Sequence, residues 1–253
     1  MSELEVQSTA EAVPGLTQWQ RVANTFTAPS KTFDDIKSGN KSWWLPFILT
    51  VLATYILFAA ITFQVGWGQV TENTNHLNPK AEEKMAQLPP DQRATAMKVT
   101  QYFIEGSFAA SPIFILATVA LGSLIMLGTI NFGFGGKAKF GSIFTVWIYA
   151  SLPTIIKALL GSLVLYTGAA PESFNLANFA PTNVGAFLNP METNKALYTL
   201  ATSLDFVSIW SMAILAIGIA TVAGVKRSSG YFAVFGWWVL VILVSVGIAA
   251  ISG

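Results

Sequence analysis

Two ionisable residues, Lys157 and Asp205, stand in or against long apolar runs, and any chemistry this chain performs inside a membrane would begin with them. A charge in hydrocarbon is costly, so its presence is a functional-site hypothesis by default. Lys157 lies fifteen residues past Ser142, about 22 Å along a helix at 1.5 Å per residue. Asp205 opens the next apolar run from the same side, so the two sit at similar depth and can pair. A structural reading stands beside the functional one: the Lys157 stem snorkels to the interface while Asp205 caps its helix. Transport would want more polar side chains at mid-membrane, and the runs offer few (Thr54, Ser123, Ser211 and Thr221).

Other chemistry lacks its residues. The single histidine, His76, falls between apolar runs, so neither a Ser–His dyad inside the membrane nor a His-rich zinc site is available. No two aspartates sit in the runs, which removes an aspartyl intramembrane protease. Cysteine is absent, and with it disulfides, thiolate metal sites and cysteine nucleophiles. Gly133-Phe134-Gly135-Gly136-Lys137 resembles a phosphate-cradling loop but lacks the spacing and the hydroxyl residue after lysine. It reads as a turn whose Lys137 and Lys139 face lipid phosphates. The residues imply no enzyme, cofactor or metal.

The elements that position these residues are five hydrophobic runs at 43–65, 112–131, 142–166, 206–225 and 231–251. A helix needs roughly 20 apolar residues to cross ~30 Å of hydrocarbon. Barrel-type alternation is absent, and only helices then satisfy their own backbone in lipid. The composition agrees, with 53% hydrophobic and 11% charged residues, far from the ~25% charged of soluble domains. A net charge of +1 provides no field for nucleic acid or an acidic partner. The fold class is therefore all-α, a polytopic membrane protein with amphipathic interfacial and outer-loop helices. No basic-then-apolar leader precedes the first span, which is expected to act as its own insertion signal.

Residues 1–17 are polar and acidic and are expected to be a disordered tail, with 43–253 as the membrane domain. Between them, 18–42 repeats Phe26, Phe33 and Ile36 near helical spacing among basic residues. This predicts short helices lying in the interface, apolar side down, with Phe26, Phe33, Trp43 and Trp44 as anchors; a solvated linker is the plainer alternative. Arg21, Lys31, Lys37, Lys41, Lys137, Lys139, Lys226 and Arg227 share one side of a five-span topology. Lys80, Lys84, Arg93, Lys98 and Lys195 are spread over two longer loops on the other side. The basic side is expected to be cytoplasmic, which puts the N-terminus inside the cell (inner) membrane and the C-terminus outside.

Pro153 should kink the third span. Ala216, Ala220 and Gly224 recur at four-residue spacing, a face for close approach of another helix. Each long loop should end in an amphipathic helix, one begun at Pro89-Pro90, the other at Asn189-Pro190 with Leu197, Leu200 and Leu204 on its apolar side.

Phe26-Thr-Ala-Pro29-Ser-Lys-Thr-Phe33, Trp147-Ile-Tyr149-Ala-Ser-Leu-Pro153 and Asp205-Phe-Val-Ser-Ile-Trp210 resemble recurrent segments of bacterial members of the Yip-domain (Ypt-interacting protein) family, over about residues 20–253. The resemblance implies five spans, a cytoplasmic N-terminus and a non-enzymatic membrane protein. Eukaryotic members are linked with Rab-type GTPases and membrane shaping, but their Asp-Leu-Tyr-Gly-Pro-type segment is missing here, so Rab-type GTPase binding is not carried over. The expectation is a scaffold or adaptor in membrane organisation, whose partners are membrane lipids and either another protein or a second copy. The alternative is a small transporter or lipid-translocating protein using Lys157 and Asp205.

Overall fold

A computed structural model describes residues 15–252. Most of the expected tail lies outside the described residues. Within residues 15–17 of it, the Leu16 N–H donates to Asp35 Oδ1 at 3.0 Å. Thr17 and Gln20 then form a reciprocal capping box that starts α1, Gln18–Thr27. Pro29, whose fixed φ suits a first turn, starts α2, Pro29–Lys37.

The remaining helices are α3 (Trp44–Gln64), α4 (Trp67–His76), α5 (Pro79–Ala86), α6 (Pro90–Ala109), α7 (Ser111–Gly128), α8 (Phe140–Ala150), α9 (Thr154–Tyr166), α10 (Lys195–Ser203), α11 (Phe206–Ala223) and α12 (Arg227–Ser252). Among the described residues, five helical stretches are long and apolar enough to cross a membrane: Trp44–Gln64, Ser111–Gly133, Phe140–Tyr166, Phe206–Ala223 and Arg227–Ile251. These lie within a few residues of the expected runs. The second ends in a π-helical turn, Thr129–Gly133, where the Trp237 indole N–H donates to the Thr129 hydroxyl at 2.9 Å.

The third span breaks into α8 and α9 across residues 151–153. Pro153 has no N–H to give, and the backbone shifts to tighter bonds, with the Thr154 N–H on the Ser151 carbonyl at 2.9 Å. The two halves belong to different hydrophobic cores. One, at the end carrying the α1–α2 hairpin, joins Phe33 and Ile36 to Ile143, Val146, Tyr149, Ile219 and Val234. The other, at the end carrying the long loops, joins Ala53, Leu57 and Ile61 of α3 to Trp67, Ala158, Leu165 and Phe174. Ile155, just past the break, touches both.

Three expectations are corrected here. Phe33 is fully buried and sits over Gly218 of α11 beside Val146; it is a core residue, not an interfacial anchor. A φ of +69° makes Gly224 the left-handed C-cap of α11, so it does not extend the small-residue face. Ala216 and Ala220 do form that face, and it is used within the chain. They meet Gly230 of α12, where a Cβ would stand 2.2 Å from the Ala216 carbonyl oxygen. The second loop helix also begins later than expected: Asn189 accepts the Met191 N–H in a turn, and Asn194 caps α10.

Candidate functional site

Two buried polar centres sit at opposite ends of the helical bundle. The first is the one the sequence points to. Lys157 Nζ on α9 lies 3.1 Å from Asp205 Oδ2, with the Asp205 side chain 4% exposed and that of Lys157 24%. Asp205 immediately precedes α11 and accepts the Ser208 N–H at 2.7 Å, a capping bond. The Thr182 hydroxyl donates to its Oδ2 at 2.5 Å, and the Phe206 N–H returns to the Thr182 carbonyl at 2.9 Å. Asp205 therefore ties three things together: the start of α11, a lysine on the broken third span, and the loop between α9 and α10. Its acceptor positions face donors, which is the arrangement that lets a carboxylate stay charged in a buried setting.

Asp205→Ala should remove the cap and strand Lys157, with the cap alone worth about 1 kcal/mol. Asp205→Asn keeps a capping oxygen but not the charge that faces Lys157, and should recover only the cap's share of the loss. Thermal unfolding of the purified variants in detergent checks the order.

The second centre was not legible as a centre. Arg21 on α1 is 1% exposed. Its Nε lies 3.5 Å from Asp35 Oδ2, an electrostatic contact without hydrogen-bond alignment. Its Nη1 donates to the Asn40 carbonyl at 3.0 Å, and the guanidinium sits 5.4 Å from the centroid of the Tyr149 ring. Tyr149 in turn donates to the Ser42 carbonyl at 3.2 Å, and Thr145 donates to that of Lys41 at 3.2 Å. Arg21 thus clamps the hairpin and the linker after it onto α8. In the sequence it reads only as one of several basic residues; the pattern that could have singled it out is the capping box that fixes its helical phase.

The other expected residues fall as follows. Phe26 is half-buried and meets Trp210 edge-on at 5.8 Å. Trp43 stacks edge-on with Phe47 and Phe144, while Trp44 is exposed at the start of α3. No cluster of three or more metal-ligating side chains occurs among the described residues.

Comparison with known proteins adds identity to this geometry. The chain is 22% identical over 230 residues to "Membrane protein YknW" of Bacillus subtilis (strain 168), covering 90% of each protein. No solved structure matches the chain. The family model described as "Yip1 domain" matches residues 23–249. That match runs from within α1 to near the end of α12, so it takes in α2, the broken span and all five apolar helices: the chain belongs to the Yip1 domain family.

Proposed function

We propose that the chain is a non-enzymatic scaffold or adaptor of its membrane, held with the α1–α2 hairpin on the cytoplasmic side. The observation that carries this reading is the contrast between its spans. Half of the apolar window of α11 is buried within the chain, against 6% of that of α12. Beyond Gly230, Ala233 and Val234, α12 turns Leu240, Leu243, Val244 and Ile248 outward. A span with so much of its apolar surface left uncovered by its own chain suits association with another helix. The polar exposed face of the hairpin, including Gln20, Lys31, Asp34 and Lys37, suits water and headgroups rather than hydrocarbon.

Photo-crosslinking residues placed at Leu243 and Val244 of the full chain in its own membranes test this. The expected result is a protein adduct of fixed size that is absent when the crosslinker replaces Phe63, which is also exposed. Lipid adducts alone at all three positions would remove the scaffold reading.

Transport is the second reading, and the Lys157–Asp205 contact is what favours it. Against it, the carboxylate is already occupied by Thr182 and Ser208. In reconstituted vesicles, flux retained by Lys157→Met would exclude the pair from any path.

A further inference from the structure

Where the third span breaks, a groove of about 570 Å³ opens between α3, α6, α7 and α8, within the size range of small-molecule sites. Phe103, Phe108, Phe114, Val119 and Trp147 belong to its apolar lining, and Phe103 and Phe114 are exposed, so the mouth opens on the outer surface of the helices. Set into this apolar wall are hydroxyls from separate elements. Thr50 and Thr54 come from α3, Ser107 from α6, Ser111 and Thr118 from α7, and Ser151 and Thr154 from either side of the break.

Four of these hydroxyls spend their proton on a nearby carbonyl of their own segment. Thr50 donates to Pro46 at 2.9 Å, Thr54 to Thr50 at 2.9 Å, Ser151 to Ile148 at 2.8 Å and Thr154 to Ser151 at 2.6 Å. They offer a visitor only acceptor lone pairs. Ser111 differs: its hydroxyl is buried and finds no partner among the described residues. A buried hydroxyl without a partner is destabilising, and a ligand that supplies one removes the penalty. No acidic or basic side chain lines the groove, so a phosphate or carboxylate entering it would lose water without gaining a counter-charge.

We propose that this groove binds one chain of a neutral lipid bearing a free hydroxyl, entering from the bilayer beside α3 and α7, with that hydroxyl meeting Ser111. The apolar wall takes the hydrocarbon. The ring of acceptors and the unpartnered serine select an O–H donor over an ionised or methylated head. This class of ligand covers long-chain alcohols and acylglycerols alike.

The test uses the full chain in phosphatidylcholine nanodiscs and three diazirine probes of one chain length: a long-chain alcohol, its methyl ether and the corresponding fatty acid. The alcohol should label residues of α3 and α7 that line the groove about fivefold more than the other two, the worth of one satisfied hydrogen bond. Ser111→Ala removes the donor that meets the ligand oxygen, and should lower labelling by the alcohol about fivefold while leaving the thermal transition in place. Thr118→Phe, at an exposed lining position, should fill the groove and lower labelling by all three. Equal labelling by alcohol and ether, alcohol labelling unchanged in Ser111→Ala, or labelling as strong on the outward face of α12 as in the groove would each overturn the proposal.

Discussion

Arg21→Met should release the α1–α2 hairpin from the spans and cost about 3–5 kcal/mol, the range for removing one partner of a buried ion pair. The guanidinium is enclosed by Asp35, the Asn40 carbonyl and the Tyr149 ring. Once it is gone, Asp35 keeps only the Leu16 N–H on its other oxygen, in a site where its side chain is 8% exposed. The double variant Arg21→Met/Asp35→Leu should regain a large part of the loss, because it removes the stranded charge along with its partner. Hydrogen exchange over residues 15–37, read beside thermal unfolding, separates two outcomes. Fast exchange confined to the hairpin in the single variant, with protection restored in the double, is the expected result. Unchanged exchange in Arg21→Met would show that apolar contacts of Phe33 and Ile36 hold the hairpin without the clamp.

Gly230→Val should have the next largest effect. A Cβ at position 230 would stand 2.2 Å from the Ala216 carbonyl oxygen and 2.9 Å from the Ala220 Cβ. The first is a backbone atom inside a helix and has no rotamer to yield. Overpacking of this kind typically costs about 1–3 kcal/mol, and here relief requires α12 to move off α11. The Trp237–Thr129 hydrogen bond, seven residues along α12, reports that displacement. The indole should become more mobile and more accessible to a lipid-soluble quencher in Gly230→Val. Gly247→Val, at a position where a Cβ meets nothing within 4 Å, should leave it unchanged.

What the sequence disclosed followed from signals that need no knowledge of tertiary partners. The spans were legible because hydrophobicity summed over some twenty residues outweighs local noise. The break at Pro153 follows from a missing N–H, and Lys157 and Asp205 stood out because charge is rare in such runs. Arg21 could not be singled out in this way. Its burial depends on Asp35 fourteen residues on and on Tyr149 from another span, and the capping box before it fixes only its helical phase, not that enclosure. Phe33 failed for a related reason: an aromatic at helical spacing is equally suited to an interface and to a core, and only the space above Gly218 decides. Gly224 shared its spacing with Ala216 and Ala220, but its place at the end of α11 made it a cap instead. Of the groove's hydroxyls the sequence marks only Thr54, as one of a few polar side chains in the runs; the set acquires meaning only when separate helices bring it to one wall.

The division of the third span between two cores bears on how the protein meets bilayers of different thickness. A helix longer or shorter than the hydrocarbon around it ordinarily tilts as a whole or deforms the lipid. Here α8 is held by the hairpin and α11, α9 is held by α3, and the joint at 151–153 falls where the two cores meet. Mismatch can therefore be absorbed as an angle between two rigid halves, in the manner of a hinge at element ends. Spin labels placed on α8 and α9 should then change their separation between short-chain and long-chain lipids, while a pair on α3 alone should not. Thickness would be read by the chain as a bend.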